Sequence, residues 1–596
     1  MATYEVVDGV GIISPGTKRI KEKAFYSNKD LKSIVIPDSV TEIGPEAFSF
    51  CSELTEVVLP ENLETIGTSA FNYCKNLKNI TLPASVKEIA EGAFSTCGIE
   101  SIEVPESVTV INRYVFNSSG IKAVKLPSTL TAIRKGAFDC SKLVSVEIPE
   151  SVTEIEVSAF GNCGCLESIK LPSSLTKIPM EMFVNCRSLT SIILPKGVSA
   201  IEKFAFSGCK SLKELHIGKA VERISNDSLR DCASLEKITV DPANPKYNSP
   251  EGSNVIVETA TNILVKGCAA SVIPASVTAI GAEAFKGCSG LKSVIIPEGV
   301  TRISRTAFFG CKELESVYMA DSVVEIEENA FSGCSALTDV RFSNSLEKIG
   351  RDAFRECALT KIQLPASLKF VNGFYMCTSL TEVTLLDNVE VIGSGAFREC
   401  PISSINLPAS LKKIDSCAFY DTKITSVVIP AGLLSVDCLA FIGCPIESLA
   451  VEEGNAYYDS RDNCNAIIKT FNNQLVRGCM NTVIPQTVTS INMMAFDNCP
   501  GLKQITVPAS VVQVGDYAFR ENDDLETVTF EGSEIEMDKE GWVFSKCPSL
   551  KAINVPLKKL AYYKRKIDKE LHGLLVEPKP AKPAKKATAK KSLAKK

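Results

Sequence analysis

Across 596 residues there are one tryptophan and two histidines, His216 and His572. A Cys-His nucleophile pair or a histidine-rich metal site therefore has almost nothing to be built from. No stretch reaches the roughly 18 consecutive apolar residues of a membrane-spanning helix. The start, MATYEVVDGVGII, lacks the basic segment and apolar run that mark export. These absences predict a cytoplasmic, non-membrane chain, with the cell surface as the alternative if export runs by a route not visible here. Neither a Walker nor a Rossmann glycine loop is present, so no nucleotide cofactor is expected, and no catalytic residue or metal ligand stands out.

What is abundant is repetition. Residues 51–74, CSELTEVVLPENLETIGTSAFNYC, are followed at once by KNLKNITLPASVKEIAEGAFSTC. An Ala-Phe pair or close variant recurs with Phe at 25, 48, 71 and onward to 544, giving 21 anchors mostly 22 or 23 residues apart. A period of that size signals a solenoid, because one unit cannot bury its own apolar stripe whereas stacked copies bury a continuous one. Counted from an anchor, Cys falls at +3, and aliphatic residues at +6, +9 and +11 read as a short parallel strand such as Leu54 to Leu59. Proline at +12, as in Pro60, lacks the N–H a ladder needs and ends that strand. Leu63, Ile66, Ala70 and Phe71 form a second buried row, with a turn or short helix expected at Ala-Phe. Twenty coils stacked at ~4.8 Å predict a body on the order of 100 Å along the sheet.

The phrase L-x-x-I-x-L-P-x-S-V-x-x-I-G-x-x-A-F-x-x-C resembles the BspA-like, or treponemal-type, leucine-rich repeat, from about Val10 to Val555. The resemblance implies an α/β, β-rich right-handed superhelix, with a long parallel sheet on one side and short helical turns on the other. It also implies protein binding, and for many members a place at the surface of bacteria or protists. The expected organisation is an N-terminal half-repeat cap (1–25), repeats (26–555), a C-terminal cap helix (556–577) and a Lys/Pro/Ala tail (578–596).

Two intervals break the rhythm. Leu229 to Phe285 and Phe441 to Phe496 span 56 and 55 residues, and their interiors match at a constant offset of 211. Alternating apolar residues around polar turns at about 241–274 and 452–485 predict a β-hairpin projecting from the solenoid. Such a hairpin serves either as a binding element or as a spacer. Within it, DSRDNCN at 459–465 has the oxygen donors of a calcium loop but not the D-x-[DN]-x-[DN]-G spacing, and the matching NSPEGSN has Asn248 in place of Asp459.

Cysteine occupies +3 in 16 of the 21 units, and Asn28, Ser119, Ser141, Thr422 or Asn522 replaces it elsewhere. Small residues that exchange Cys for Asn, Ser or Thr fit a buried position bonded to neighbouring backbone, not a catalytic thiol. Reduced, structural thiols are the expectation. Binding would fall to the outward residues of the strand. Along the +10 row stand Ile193, His216, Tyr318 and Arg341, and Tyr318 with Arg341 is the pair richest in interface-favoured side chains. Glu103, Lys125 and Glu147 on nearby coils read as charge alternation along a ladder.

The tail carries Lys579, Lys582, Lys585, Lys586, Lys590, Lys591, Lys595 and Lys596 and no acid. The chain totals −5, so the rest carries −13. Such a tail is a candidate anion-binding element and a possible tether to nucleic acid. The sequence as a whole points to a monomeric, non-enzymatic protein that presents an extended surface to a protein partner, with nucleic-acid association or surface adhesion as alternatives.

Overall fold

A computed structural model describes residues 4–537 and 542–578. The chain forms two compact units, Met1–Leu359 and Thr360–Lys596. Both are stacks of similar coils with in-register parallel pairing. The strand predicted around Leu54–Leu59 is Glu56–Val58, which pairs with Ser33–Val35 so that Val35 faces Val58. Val57 points into the core, and Glu56 and Val58 point out.

The second half of the unit is more regular than a buried row. Thr65–Ile66 is itself a strand, paired in parallel with Glu42–Ile43 and Glu88–Ile89, so each coil feeds two ladders. The residue after the Ile, Gly67 in this coil, takes part in that pairing. The N–H of Gly67 donates to the Ile43 carbonyl at 2.8 Å. A Cβ built on this backbone would stand 2.7 Å from the same oxygen; coils with Ala90 or Glu156 at this place keep the same bond at 2.9 Å with a local adjustment.

Ala-Phe does not sit on a helix. Phe48 and Phe50 donate their N–H groups to Ala70 and Asn72 of the following coil, both at 2.8 Å, while Ala47 and Ser49 bond back to Gly44 and Glu46 of their own coil. Left-handed residues at Glu46 (φ 53) and Phe50 (φ 62) turn alternate amides along the stack. A helix would commit every amide to its own chain; here half of them join neighbouring coils. α-Helix among the described residues is confined to Leu560–Tyr563, with short 3₁₀ segments such as Asn226–Leu229 and Lys569–Leu574. The short helical turns implied by the family resemblance are 3₁₀ helices at the anchors Leu229 and Phe544 and hydrogen-bonded turns in coils such as that of Phe48.

The core is a file of phenylalanines. From Phe25 to Phe206 the rings lie nearly parallel, with centroids 5.1 to 6.4 Å apart. Each anchor from Phe48 to Phe206 is fully buried, and truncating one such ring to alanine costs about 3–5 kcal/mol. Tyr4 closes the N-terminal end, packing edge-on against Phe25 at 5.7 Å. It belongs to a hairpin, Tyr4–Val7 with Val10–Ile13, whose turn takes Asp8 and Gly9 at positive φ. The D-G dipeptide is the sequence signal for that turn.

At the other end the expected cap helix is interrupted. The helix Leu560–Tyr563 seats Tyr563 fully buried against Phe530, its hydroxyl donating to Gly532 O at 2.7 Å. The chain then turns, with Asp568 capping the 3₁₀ segment, so that Leu575–Val576 can extend the ladder beside Ile553. A continuous helix would leave that ladder edge uncovered. The tail lysines, Lys579 to Lys596, lie outside the described residues.

The hairpins of the long units do not project. Val255–Glu258 pairs antiparallel with Ile263–Gly267, whose Leu264 then faces Ile280 in parallel register. Ala466–Lys469, Gln474–Gly478 and Ile491 repeat the arrangement. Apolar residues on both faces explain it: Val255, Ile256 and Val257 are all buried. Each hairpin is therefore a ladder rung. Gly267 donates to Ala284 O at 3.0 Å, as an anchor phenylalanine does in a plain coil, and a Cβ on it would meet the Phe285 ring at 2.1 Å.

Candidate functional site

The cysteine row is resolved by its acceptors. The thiols of Cys51, Cys74, Cys186 and Cys209 donate to the carbonyls of Phe25, Phe48, Phe160 and Phe183, at 3.0 to 3.1 Å. Asn522 does the same with its amide, reaching Phe496 O and Phe519 O at 2.8 Å. Ser141 and Thr422 instead meet the next coil's sulfur, at Cys163 and Cys444. Among the described residues no cysteine is joined in a disulfide. Burial pushes Cys51 up to about 11 and Cys163 and Cys232 to about 12. A thiol held protonated is neither a nucleophile nor a metal ligand.

The calcium-like loop is committed elsewhere. Asp459 takes a two-point ion pair from Arg461, at 2.6 and 2.8 Å, and among the described residues no cluster of three His, Cys, Asp or Glu is arranged to hold a metal.

The outward face of the first ladder divides into segments. Ile193, 87% exposed, sits one coil from His216, whose Nδ1 lies 3.0 Å from Thr239 Oγ1. Past Val240 the first long unit intervenes, and this ladder is re-established at Ser293–Ile296. There Ile295, Tyr318 and Arg341 stand in direct register. Ile295 is 70% exposed, and the Tyr318 hydroxyl donates to Asp339 Oδ2 at 2.8 Å, which raises the phenol's pKa. The four candidate residues thus form two pairs rather than one patch. Earlier on the same ladder, Lys125 pairs with Glu103 at 2.5 Å and Lys170 pairs with Glu147, so these carboxylates are rungs of a charge ladder.

Two features escape the sequence reading. Lys266 and Arg477, equivalent in the two long units, are 2% exposed. Lys266 Nζ donates to Glu283 O at 2.8 Å; Arg477 donates to Met494 O, Asp497 O and Phe441 O. Where the hairpin replaces the Ala-Phe turn, these cations satisfy carbonyls of the turn in the next coil, and Arg477 also reaches back to Phe441 of the preceding one. Burial holds Lys266 down to about 8. A charged residue inside an apolar alternation, K-G-C and R-G-C at offset 211, is the trace this leaves in the sequence. The other feature is a surface stack of Tyr26, Phe50 and Tyr73 on the turn side.

Parallel ladders, a phenylalanine spine and an outward strand face that varies from coil to coil define a leucine-rich-repeat solenoid. The family model described as BspA type leucine rich repeat region matches six times, over 18–139, 65–190, 131–249, 267–373, 371–467 and 469–567. The chain belongs to that family. A search of curated proteins gives no match.

Among solved structures it is similar to a leucine rich cell surface protein of Faecalibacterium prausnitzii (24% identity, 70% of this chain and 94% of that one, TM-score 0.25). It is also similar to leucine-rich repeat proteins of Eubacterium ventriosum (20%, 71% and 93%, TM-score 0.37) and Bacteroides ovatus (20%, 97% and 98%, TM-score 0.22). None of these supports the cytoplasmic placement expected from the amino terminus. No helix among the described residues is long and apolar enough to cross a membrane.

Proposed function

We propose that the chain is a non-enzymatic binding scaffold that engages a protein partner through the outward face of the first ladder in the unit Met1–Leu359. One observation carries this reading: inward positions repeat the same residue types coil after coil, whereas the outward +10 position changes from Val58 to Lys125, Ile193, His216 and Tyr318 while staying in solvent. Constancy inside is explained by packing; the variation outside costs the fold nothing and is available for recognition. Ile193, Ile295 and Tyr318 supply apolar and aromatic contact area, and Arg341 beside Tyr318 supplies a planar donor, the side-chain types that dominate protein interfaces.

A photo-crosslinking residue placed at Ile193 or Tyr318, and for comparison at Lys87 on the second ladder, tests the reading in the native host. Discrete protein adducts from the first two sites and none from Lys87 are expected. Adducts of equal yield from all three positions, or none at all, would sink it.

A further inference from the structure

In an ordinary coil the next one covers the turn, as when Phe48 and Phe50 donate to Ala70 and Asn72. The last anchor, Phe544, stacks on Phe519 at 5.5 Å and ends the repeats. Beyond it the cap stands in for a coil on the ladder side, through Tyr563 against Phe530 and Leu575–Val576 beside Ile553. On the turn side a groove of about 490 Å³ remains, between the Trp542–Phe544 segment and the 3₁₀ segment Lys569–Leu574.

The lining of this groove has two chemistries. Trp542, 43% exposed, Pro548 and Leu571 are apolar, and Asp523, Asp568 and Glu570 are carboxylates. Among the described residues none of the three carboxylates has a cation within ion-pair distance, and the lysine on the groove wall, Lys546, is held by Glu521 at 2.6 Å. An apolar surface bordered by uncompensated negative charge suits a ligand that is apolar and cationic at once.

We infer that this groove is a docking site for the chain's own residues 578–586. The groove and the point where that segment begins belong to one unit, Thr360–Lys596. Val576 O accepts from Val555 N at 2.9 Å. Pro548 on the groove wall precedes Val555 by seven residues, so at most about 25 Å separates the two. Ten residues of flexible chain span about 17–19 Å on average and about 33 Å when extended, so the segment reaches the groove. A tether of that length holds it there at an effective concentration of about a millimolar. The residue pattern fits both chemistries of the lining. A polyproline II helix repeats every three residues, about 9.3 Å, so in that conformation Pro580 and Pro583 share one edge and Lys579, Lys582 and Lys585 another. Prolines dock on aromatic surfaces, and tryptophan is also the strongest cation–π partner for a lysine. Eight lysines without an acid, at 578–596, supply the charge that the three carboxylates lack. The proposal does not depend on the ladder-face reading, which concerns the other unit.

Trp542 is the sole tryptophan of the chain, so its fluorescence reads the groove alone. The test is its quenching by acrylamide, a neutral quencher, in the full chain. Three variants are compared with the parent: Lys579→Gln with Lys582→Gln and Lys585→Gln; Pro580→Ser with Pro583→Ser; and Asp523→Asn with Asp568→Asn and Glu570→Gln. In each, the quenching constant is expected to rise roughly twofold as the covered face of the ring is released. Joining the lysine and carboxylate sets is expected to add nothing further. Asparagine at 568 keeps the cap that Asp568 gives the Glu570 N–H, and unchanged melting temperatures show that the fold is intact. High salt is expected to produce the same rise in the unaltered chain, independently of any substitution. Equal quenching in the parent chain and the carboxylate variant overturns the proposal. Protection of Trp542 that grows with protein concentration also overturns it, since the occupant would then be the tail of a second copy.

Discussion

The thiol of Cys74 donates to the carbonyl oxygen of Phe48, 3.1 Å away in the preceding coil. That contact ties the two most repeated residues of the chain to each other, and it explains why a cysteine that looks chemical is structural. The anchor carbonyl is buried and needs a donor, and the donor must be small enough for coils about 5 Å apart.

Changing the donor while keeping the size separates these demands. Cys74→Ser retains a hydroxyl at the same place and is expected to lower stability by less than about 1 kcal/mol. Cys74→Ala removes one of the two donors to Phe48 O and leaves the Cys51 N–H at 3.2 Å, for a loss of about 0.5–1.5 kcal/mol that exceeds the serine variant's. Denaturant unfolding followed by circular dichroism checks the order; an alanine variant as stable as the serine one would mean the hydrogen bond contributes nothing.

Thiol chemistry should follow exposure rather than count. Cys140 and Cys165 are exposed, Cys417, Cys438 and Cys547 are half-buried, and the remaining thiols are buried. A thiol reagent at neutral pH is therefore expected to label Cys140 and Cys165 first, the half-buried three more slowly, and the others only on unfolding, with mass spectrometry locating each adduct. Rapid modification of Cys74 or Cys186 in the native protein would contradict their burial and their raised pKa.

Much of this architecture is legible in the sequence because it is written many times over. Period, strand position, the proline that ends the strand and the exchange of Cys for Asn all follow from comparing one unit with the next. What escaped depends on contacts between units that no single unit displays. Ile66 reads as a buried residue, and only its pairing with Ile43 and Ile89 makes it a ladder strand. The Ala-Phe segment reads as a turn or short helix because nothing local reveals that alternate amides leave for the next coil. The hairpins read as projections because the partner strand of Leu264 is Ala279–Ile280, outside the insert. Among the candidate site residues, Tyr318 and Arg341 were placed together by spacing alone, whereas the gap between His216 and Tyr318 reflects how the long unit interrupts the ladder.

The second ladder breaks between Glu88–Ile89 and Val110–Ile111 and again before Lys177–Ile178, and the later break has a chemical reason. Glu156 donates to Ile133 O and Glu202 to Ile178 O, at 2.9 and 3.0 Å, but the equivalent residue between them is Pro179, which has no N–H. The ladder stops at Glu154–Ile155 and restarts at Lys177–Ile178. Met182 replaces the usual alanine before Phe183, and Phe160 and Phe183 are 6.4 Å apart, the widest step in the run from Phe25 to Phe206. A groove of about 470 Å³ opens there, lined by residues including Ile155, Lys177 and Met180. Hydrogen exchange is expected to be faster at Thr176 and Lys177 than at Ser199 and Glu202. Pro179→Ser restores a donor, and about 1 kcal/mol of added local stability should slow that exchange roughly fivefold. Equal exchange at the two positions in the parent chain would show that the coils are held by packing alone.

Lys266 makes the stability of the first long unit depend on pH in a defined direction. In the unfolded chain its amine titrates near 10.5, and in the fold burial lowers it to about 8. Between those values the unfolded state holds more protons than the folded one, so raising the pH stabilises the fold. Below pH 8 both states are protonated and the buried charge destabilises in full, by about 3 kcal/mol; above 10.5 that penalty is gone. Lys266→Met removes the titration and the shorter of the two hydrogen bonds to Glu283 O, the Lys286 N–H at 3.3 Å remaining, a loss of about 1 kcal/mol. The variant is therefore expected to be the more stable protein at pH 7 and to lose that advantage steadily as pH rises from 8 towards 10.5. Unfolding midpoints of both proteins, measured in parallel across that range, give the difference directly, and other titrating groups cancel in it. A difference that does not change with pH would mean that Lys266 keeps an ordinary affinity for its proton and that its burial is compensated by its neighbours.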